Sequence, residues 1–208
     1  LHHQFTLHSV VPAPNTILQN VHKLEPGHSV KVMPNGKILK NKYYTLDDIK
    51  INHNIKENEI IEESERLLMS AIKKRFYTAD VDVGVLLSGG LDSSLIVAMA
   101  AKSKLSKINT FSIGFPTIND EVGNEFYYSD MVSKQFNTNH YKYNISQDHL
   151  IESLDNVIQE MPEPMFSQDS SAFYLLAKEV SKNQKVVLSG QGADELFGGY
   201  FWYEKMND

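Results

Sequence analysis

The sequence predicts an α/β protein, built on a parallel sheet with helices on both faces. Three observations carry this expectation. Short strand-like segments recur at residues 81–87, 108–115 and 185–189, and in the first Val83, Val85, Leu86 and Leu87 form the near-continuous apolar run expected of a strand buried on both faces. Segments of helical period lie before and between them. The first run ends in Ser88-Gly89-Gly90, a glycine turn opening a helix at the strand's carboxyl end, where sheets of this kind bind ligands.

The elements follow in order. Residues 28–33 and 37–39 flank Pro34-Asn35-Gly36 and predict a β-hairpin with an Asn-Gly turn. Residues 43–58 are polar, rich in Asn, Asp and Lys, and read as a linker. From 59 to 77 the apolar positions Ile60, Ile61, Leu67, Leu68, Ala71, Ile72 and Phe76 follow a helical period and predict a helix covering the sheet. Strand 81–87, helix 91–102, strand 108–115 and helix 126–136 come next, the last with Met131 and Val132 inward. A short strand at 140–144, helices at 147–158 and 170–181, and a strand at 185–189 complete the pattern. Pro162 and Pro164 hold an extended lead-in, with Ser170 or Ser171 as the cap of the helix that follows. Alternation of this kind gives a parallel sheet. There is no internal repeat and no low-complexity segment.

Composition narrows the class. With 20 basic and 26 acidic residues the net charge is −6, and no Lys/Arg-rich run occurs, which argues against a nucleic-acid surface. No apolar run approaches the ~18 residues of a membrane span, and no signal peptide is evident, so a cytoplasmic enzyme is expected. The absence of cysteine excludes disulfides and thiolate metal sites within these residues. His2, His3, His8, His22, His28, His53, His140 and His149 lack H-x₃-H helical pairing; most read as surface residues, with His28 in a Pro-Gly-His turn.

Residues 88–94, S-G-G-L-D-S-S, hold the chemistry. The helix that begins here offers unpaired amides and the positive end of its dipole, and Ser88, Ser93 and Ser94 add hydroxyl donors. Asp92 would repel a phosphate unless a cation lay between them, which implies Mg²⁺. No G-x-x-x-x-G-K-[ST] loop occurs.

This string resembles the pyrophosphate-binding loop of the ATP pyrophosphatase (PP-loop) superfamily, with its adenine-nucleotide alpha-hydrolase-like fold. A second string at residues 188–200, L-S-G-Q-G-A-D-E-L-F-G-G-Y, narrows the resemblance to the synthetase domain of the glutamine-hydrolysing asparagine synthetase family. V-P-A-P-N-T-I at 11–17 and K-L-E-P-G-H at 23–28 are similar to the segment that closes the family's glutaminase domain. The resemblance implies residues 1–45 as a glutaminase-domain remnant containing the hairpin, 46–58 as linker and 59–208 as the N-terminal part of the ATP-binding synthetase domain. The chain then reads as an excerpt, without the family's nucleophilic cysteine and without a later lysine near the transferring phosphate.

The resemblance also implies the site. ATP would lie on Leu87, Ser88, Gly89, Gly90, Asp92, Ser93, Ser94, Ile113, Ser189 and Gly190, with Leu87 and Ile113 bordering adenine. Asp194 would join Asp92 on Mg²⁺, because a cation offsets the repulsion of two carboxylates and a phosphate. Gln191 stands where well-known relatives carry a catalytic Glu; it can hydrogen-bond a carboxylate or ammonia but takes up no proton. Asn124-Glu125, or Asp120-Glu121 in another register, aligns with an Asp-Glu pair of many relatives. The implied activity is ATP-dependent amide formation through an acyl adenylate, with aspartate as the small-molecule carboxylate and glutamine-derived ammonia from a glutaminase domain. Alternatives are an amidotransferase acting on a different carboxylate, of a secondary metabolite or surface polysaccharide, and an excerpt that only binds nucleotide. The resemblance is compatible with a homodimer.

Overall fold

The computed structural model describes residues 1–7, 9–103, 107–116, 126–165 and 167–207. His8, and the Asp120-Glu121 and Asn124-Glu125 pairs, lie outside the described residues. The chain divides into two compact units, Leu1–Glu57 with Asp155–Ser170, and Asn58–Leu154 with Ser171–Asp208.

The first unit holds a short helix, α1 (His2–Thr6), and an antiparallel hairpin of β1 (His28–Val32) and β2 (Ile38–Lys42), in which Val32 pairs with Ile38. Its turn is the expected three-residue connection, Pro34-Asn35-Gly36, between residues 33 and 37. The Gly36 N–H and the Met33 N–H donate to Met33 O and Lys37 O, each at 2.9 Å, and Gly36 takes φ +81°. Pro34 favours the first turn position and Gly36 supplies the left-handed residue that closes such a loop. In the same unit the Glu163 carboxylate pairs with Lys23 and accepts the Ile17 N–H at 3.3 Å, which holds its pKa below the usual carboxylate range.

The second unit is the α/β body. Along the chain come α2 (Glu57–Thr78), β3 (Val83–Leu86), α3 (Leu91–Lys102), β4 (Asn109–Gly114), α4 (Phe126–Phe136), β5 (Asn139–Asn144), α5 (Gln147–Glu160), α6 (Gln168–Val180), β6 (Val186–Leu188) and α7 (Ala193–Phe197), with residues 155–160 of α5 and 168–170 of α6 counted in the first unit. The sheet runs β5-β4-β3-β6 and every pairing is parallel, with Val85 beside Thr110 on one side and Leu188 on the other. Strand residues alternate faces, so each strand feeds two cores. Val85, Leu87, Ile108 and Leu188 pack with Ile72 of α2, Val97 and Ala100 of α3 and Val132 of α4. Leu86, Phe111, Ile113 and Val187 pack with Leu176 and Val180 of α6. Helices thus cover both faces. Among the described residues no helix is long and apolar enough to cross a membrane.

Four local expectations are corrected. Ile60, Ile61 and Leu67 on α2 are exposed, because seven apolar positions span a wider arc of the helix than the sheet covers; Ile72 is the buried residue of α2. Met131 is exposed although Val132 packs inward, since neighbours on a helix point about 100° apart. The cap of α6 is Ser167, whose Oγ accepts the Asp169 N–H at 3.2 Å; Ser170 and Ser171 lie inside the helix. His140, grouped with the surface histidines, has a side chain only 8% exposed, because its ring turns from β5 into a set of hydroxyls on β4 and α4.

Candidate functional site

Strand order places the site. The chain leaves β3 toward β4 and β5 on one side and returns to β6 on the other, so the order reverses between β3 and β6. Loops diverge at such a reversal and open a crevice beyond the strand ends. The S-G-G-L-D-S-S and S-G-Q-G-A-D strings leave β3 and β6 at that point.

The first loop is fixed by its own hydroxyls. Ser88 Oγ accepts the Gly90 N–H at 3.2 Å and lies 3.0 Å from Ser93 Oγ, while Ser93 Oγ donates to Gly90 O at 3.2 Å. Gly89 adopts φ +96°, a conformation that residues with a Cβ rarely take. The first intrahelical bond of α3 is from Ser94 N–H to Gly90 O, so the amides of Leu91, Asp92 and Ser93 have no intrahelical acceptor. Unpaired amides, the helix dipole and two serine hydroxyls make this turn a site for an anion.

The second loop lies against the first. A Cβ added to Gly190 would stand 3.0 Å from Asp92 Cβ and 3.1 Å from Ser93 N, so the absence of a side chain there lets the two backbones meet. Ser189 Oγ accepts the Gln191 N–H at 3.2 Å, and Gly192 at φ +95° turns the chain into α7, whose first turn carries Asp194.

Both loops line one cavity of about 500 Å³, within the range of small-ligand sites. Its chemistry is divided. Leu86, Leu87, Phe111, Ile113, Phe115, Phe173 and Leu176 supply apolar surface suited to a flat ring; Ser88, Ser93, Ser189, Asp92, Gln191 and Asp194 supply the polar part. All the site residues read from the sequence line this cavity except Gly89 and Ser94. Gly89 instead backs onto α4, where an added Cβ would lie 2.7 Å from Tyr128 Cβ, and Ser94 continues α3. Phe173 and Leu176 were not singled out as site residues; their signal is an i, i+3 apolar pair on α6.

Two carboxylates from separate loops reach the cavity, and among the described residues no group of three His, Cys, Asp or Glu gathers that could cage a metal. This donor set fits a hard cation that completes its shell with phosphate and water.

The parallel sheet, its strand order and the cavity at its reversal define an open α/β protein with a ligand site at the strand carboxyl ends. The chain belongs to the asparagine synthase family: residues 63–207 match the model of the family described as asparagine synthase. It is 36% identical over 192 residues to a putative glutamine-hydrolysing asparagine synthetase 2 of Methanocaldococcus jannaschii, covering 91% of this chain and 36% of that protein. Glutamine-hydrolysing asparagine synthetase 1 of Bacillus subtilis is 30% identical over 203 residues, covering 97% of this chain and 31% of the relative. The chain spans about a third of the length of these relatives. Among solved structures, a glutamine-dependent NAD⁺ synthetase from Acinetobacter baumannii in complex with ADP aligns at TM-score 0.48 and 16% identity, over 80% of this chain and 34% of that one.

Proposed function

We propose that this chain carries the ATP site of an enzyme that forms an amide through an acyl adenylate, with aspartate as the carboxylate and glutamine-derived ammonia as the nitrogen source. The observation that supports it is the meeting of the Ser88 and Ser189 loops in one cavity with an apolar wall on one part and Asp92 and Asp194 on the other. Leu87 and Ile113 border the adenine, and the amides and hydroxyls from Ser88 to Ser94 hold the phosphates. The carboxylate of the substrate attacks the α-phosphorus, an acyl-phosphate bond forms, and the bond to pyrophosphate breaks. Asp92 and Asp194 would hold a Mg²⁺ ion, which when bound would supply positive charge against the leaving pyrophosphate. Ammonia then attacks the acyl carbon and displaces AMP, leaving the amide. Gln191, at the cavity wall, hydrogen-bonds the carboxylate or ammonia but takes no proton, so the proton lost by ammonia goes to another acceptor.

In this reading residues 1–45 belong to a glutaminase-type domain, 46–58 link it to the synthetase part, the enzyme is cytoplasmic, and a homodimer is compatible with it. Gln191 favours one second reading, the same chemistry on a different carboxylate. The deciding experiment measures AMP release by the full-length natural protein with ATP, Mg²⁺ and glutamine, against a panel of carboxylates. AMP formed with aspartate supports the first reading, AMP formed only with another acid supports the second, and none with any acid rejects both.

A further inference from the structure

His140 is buried and takes no part in the chemistry above. Its Nδ1 is 2.9 Å from Thr110 Oγ1 on β4, and its Nε2 is 3.3 Å from Ser129 Oγ on α4 and 3.4 Å from Ser112 Oγ on β4. Thr110, Ser112 and Ser129 are at most 3% exposed. A polar group so placed is costly unless fully paired, so its geometry is narrowly set.

Two serine hydroxyls orient the ring. Ser129 Oγ donates to Phe126 O at 3.2 Å, and Ser112 Oγ donates to Leu87 O. Both hydroxyl protons are thereby committed to main-chain carbonyls, and both oxygens face His140 as acceptors. Nε2, facing two acceptors, is assigned the hydrogen; in the neutral ring Nδ1 then accepts from Thr110, which requires the Thr138 hydroxyl, 2.8 Å from Thr110 Oγ1 and 2.9 Å from Ser133 Oγ, to donate to Thr110. Burial acts in the same sense, holding the ring below the usual histidine pKa; Asp130 of α4, 3.8 Å from Nε2, opposes this, and Lys142 of β5, paired with Asp130 at 2.9 Å, reinforces it.

Ser112 is bonded to the start of the phosphate loop, and the backbone of Ser129 backs onto Gly89. Ser112 holds the carbonyl of Leu87, the residue before the loop, and a Cβ on Gly89 would stand 2.8 Å from Ser129 N. One ring nitrogen thus ties together the two backbones that flank the Leu87-Ser88-Gly89 turn. We propose that His140 is a positioning residue for this turn, acting through Ser112 and Ser129 to set where the phosphates of a bound nucleotide lie. The inference rests on the nucleotide reading of the cavity and adds to it a residue outside the cavity wall.

Calorimetric titration of wild type, His140→Gln, His140→Asn and His140→Leu with Mg-ATP and with adenosine tests it, with melting temperatures as the check on folding. Gln can return a donor near the Nε2 position, whereas Asn reaches only toward Nδ1 and Leu offers none. The expected result is roughly tenfold weaker Mg-ATP binding for Asn and Leu, near-wild-type binding for Gln, and adenosine affinity unchanged throughout. Equal losses for ATP and adenosine, or no loss in Asn, would overturn the positioning role while leaving the nucleotide site intact. Wild-type protein that binds neither ligand would overturn the nucleotide reading and this inference with it. Should the Leu variant fail to fold, the Asn and Gln pair decides alone.

Discussion

Gly89→Ala should destabilise the protein by about 2–6 kcal/mol, and the structure separates that figure into two parts. The backbone at φ +96° strains any residue with a Cβ, by about 1–3 kcal/mol. The new carbon would also stand 2.7 Å from Tyr128 Cβ and 2.8 Å from Ser129 N, inside contact distance, and forcing atoms into a packed site adds about 1–3 kcal/mol. Gly192 provides the control, since it has nearly the same backbone, φ +95°, with nothing within 4 Å of an added Cβ. Gly192→Ala should therefore show the strain alone. In urea denaturation followed by circular dichroism, Gly89→Ala should unfold about 1 M earlier than Gly192→Ala, for a slope of about 1–3 kcal/mol per M. Coincident midpoints for the two variants would refute the claim that α4 packs directly on the loop.

Other consequences are open to measurement. Asp92→Asn and Asp194→Asn should each weaken ATP binding about tenfold or more when Mg²⁺ is present and change it little in chelator, since the carboxylates act through the cation; a loss that ignores Mg²⁺ would reject that role. Leu87→Ala, at a fully buried position, should cost about 2–5 kcal/mol of stability, seen as a melting temperature roughly 4–20 °C lower; a shift of a degree or less would contradict the packing described. The His140 pKa is depressed on folding, so the unfolded chain binds the proton more readily. Its contribution to stability is complete above the ordinary histidine value of 6.5 and is lost as pH falls through the folded value. Urea midpoints measured from pH 7.5 down to 5 should fall more steeply for wild type than for His140→Gln, and parallel curves would contradict this.

The first strand was legible because β3 is buried on both faces, which favours an apolar run such as the one around Val85. The bounds of α3 and α4 coincide with the expected 91–102 and 126–136; α3 is apolar and alanine-rich and starts at the glycine turn. Periodicity does not say how much of a helix is covered, so Ile60, Ile61 and Leu67 were placed inward and lie in solvent. The loops of the cavity were legible because the strings at 88–94 and 188–200 resemble known site loops, a reading that glycines and short hydroxyl residues at a strand end support without requiring. A string of neighbours says nothing of direction, and so Gly89 and Ser94 fell among the cavity residues although one faces α4 and the other continues a helix. His140 was illegible in another sense. A lone histidine in a short strand carries no signal of the hydroxyls that approach it from two other elements, at Thr110, Ser112 and Ser129.

The most direct test of the nucleotide site is calorimetric titration of this chain with Mg-ATP, beside Asp92→Ala and Ser88→Ala. Saturable binding that requires Mg²⁺ and disappears in Asp92→Ala is the predicted result, with Ser88→Ala weakened because the hydroxyl that fixes Gly90 and Ser93 is gone. Folded wild-type protein that binds no Mg-ATP, or binds it equally well after Asp92→Ala, would contradict the account.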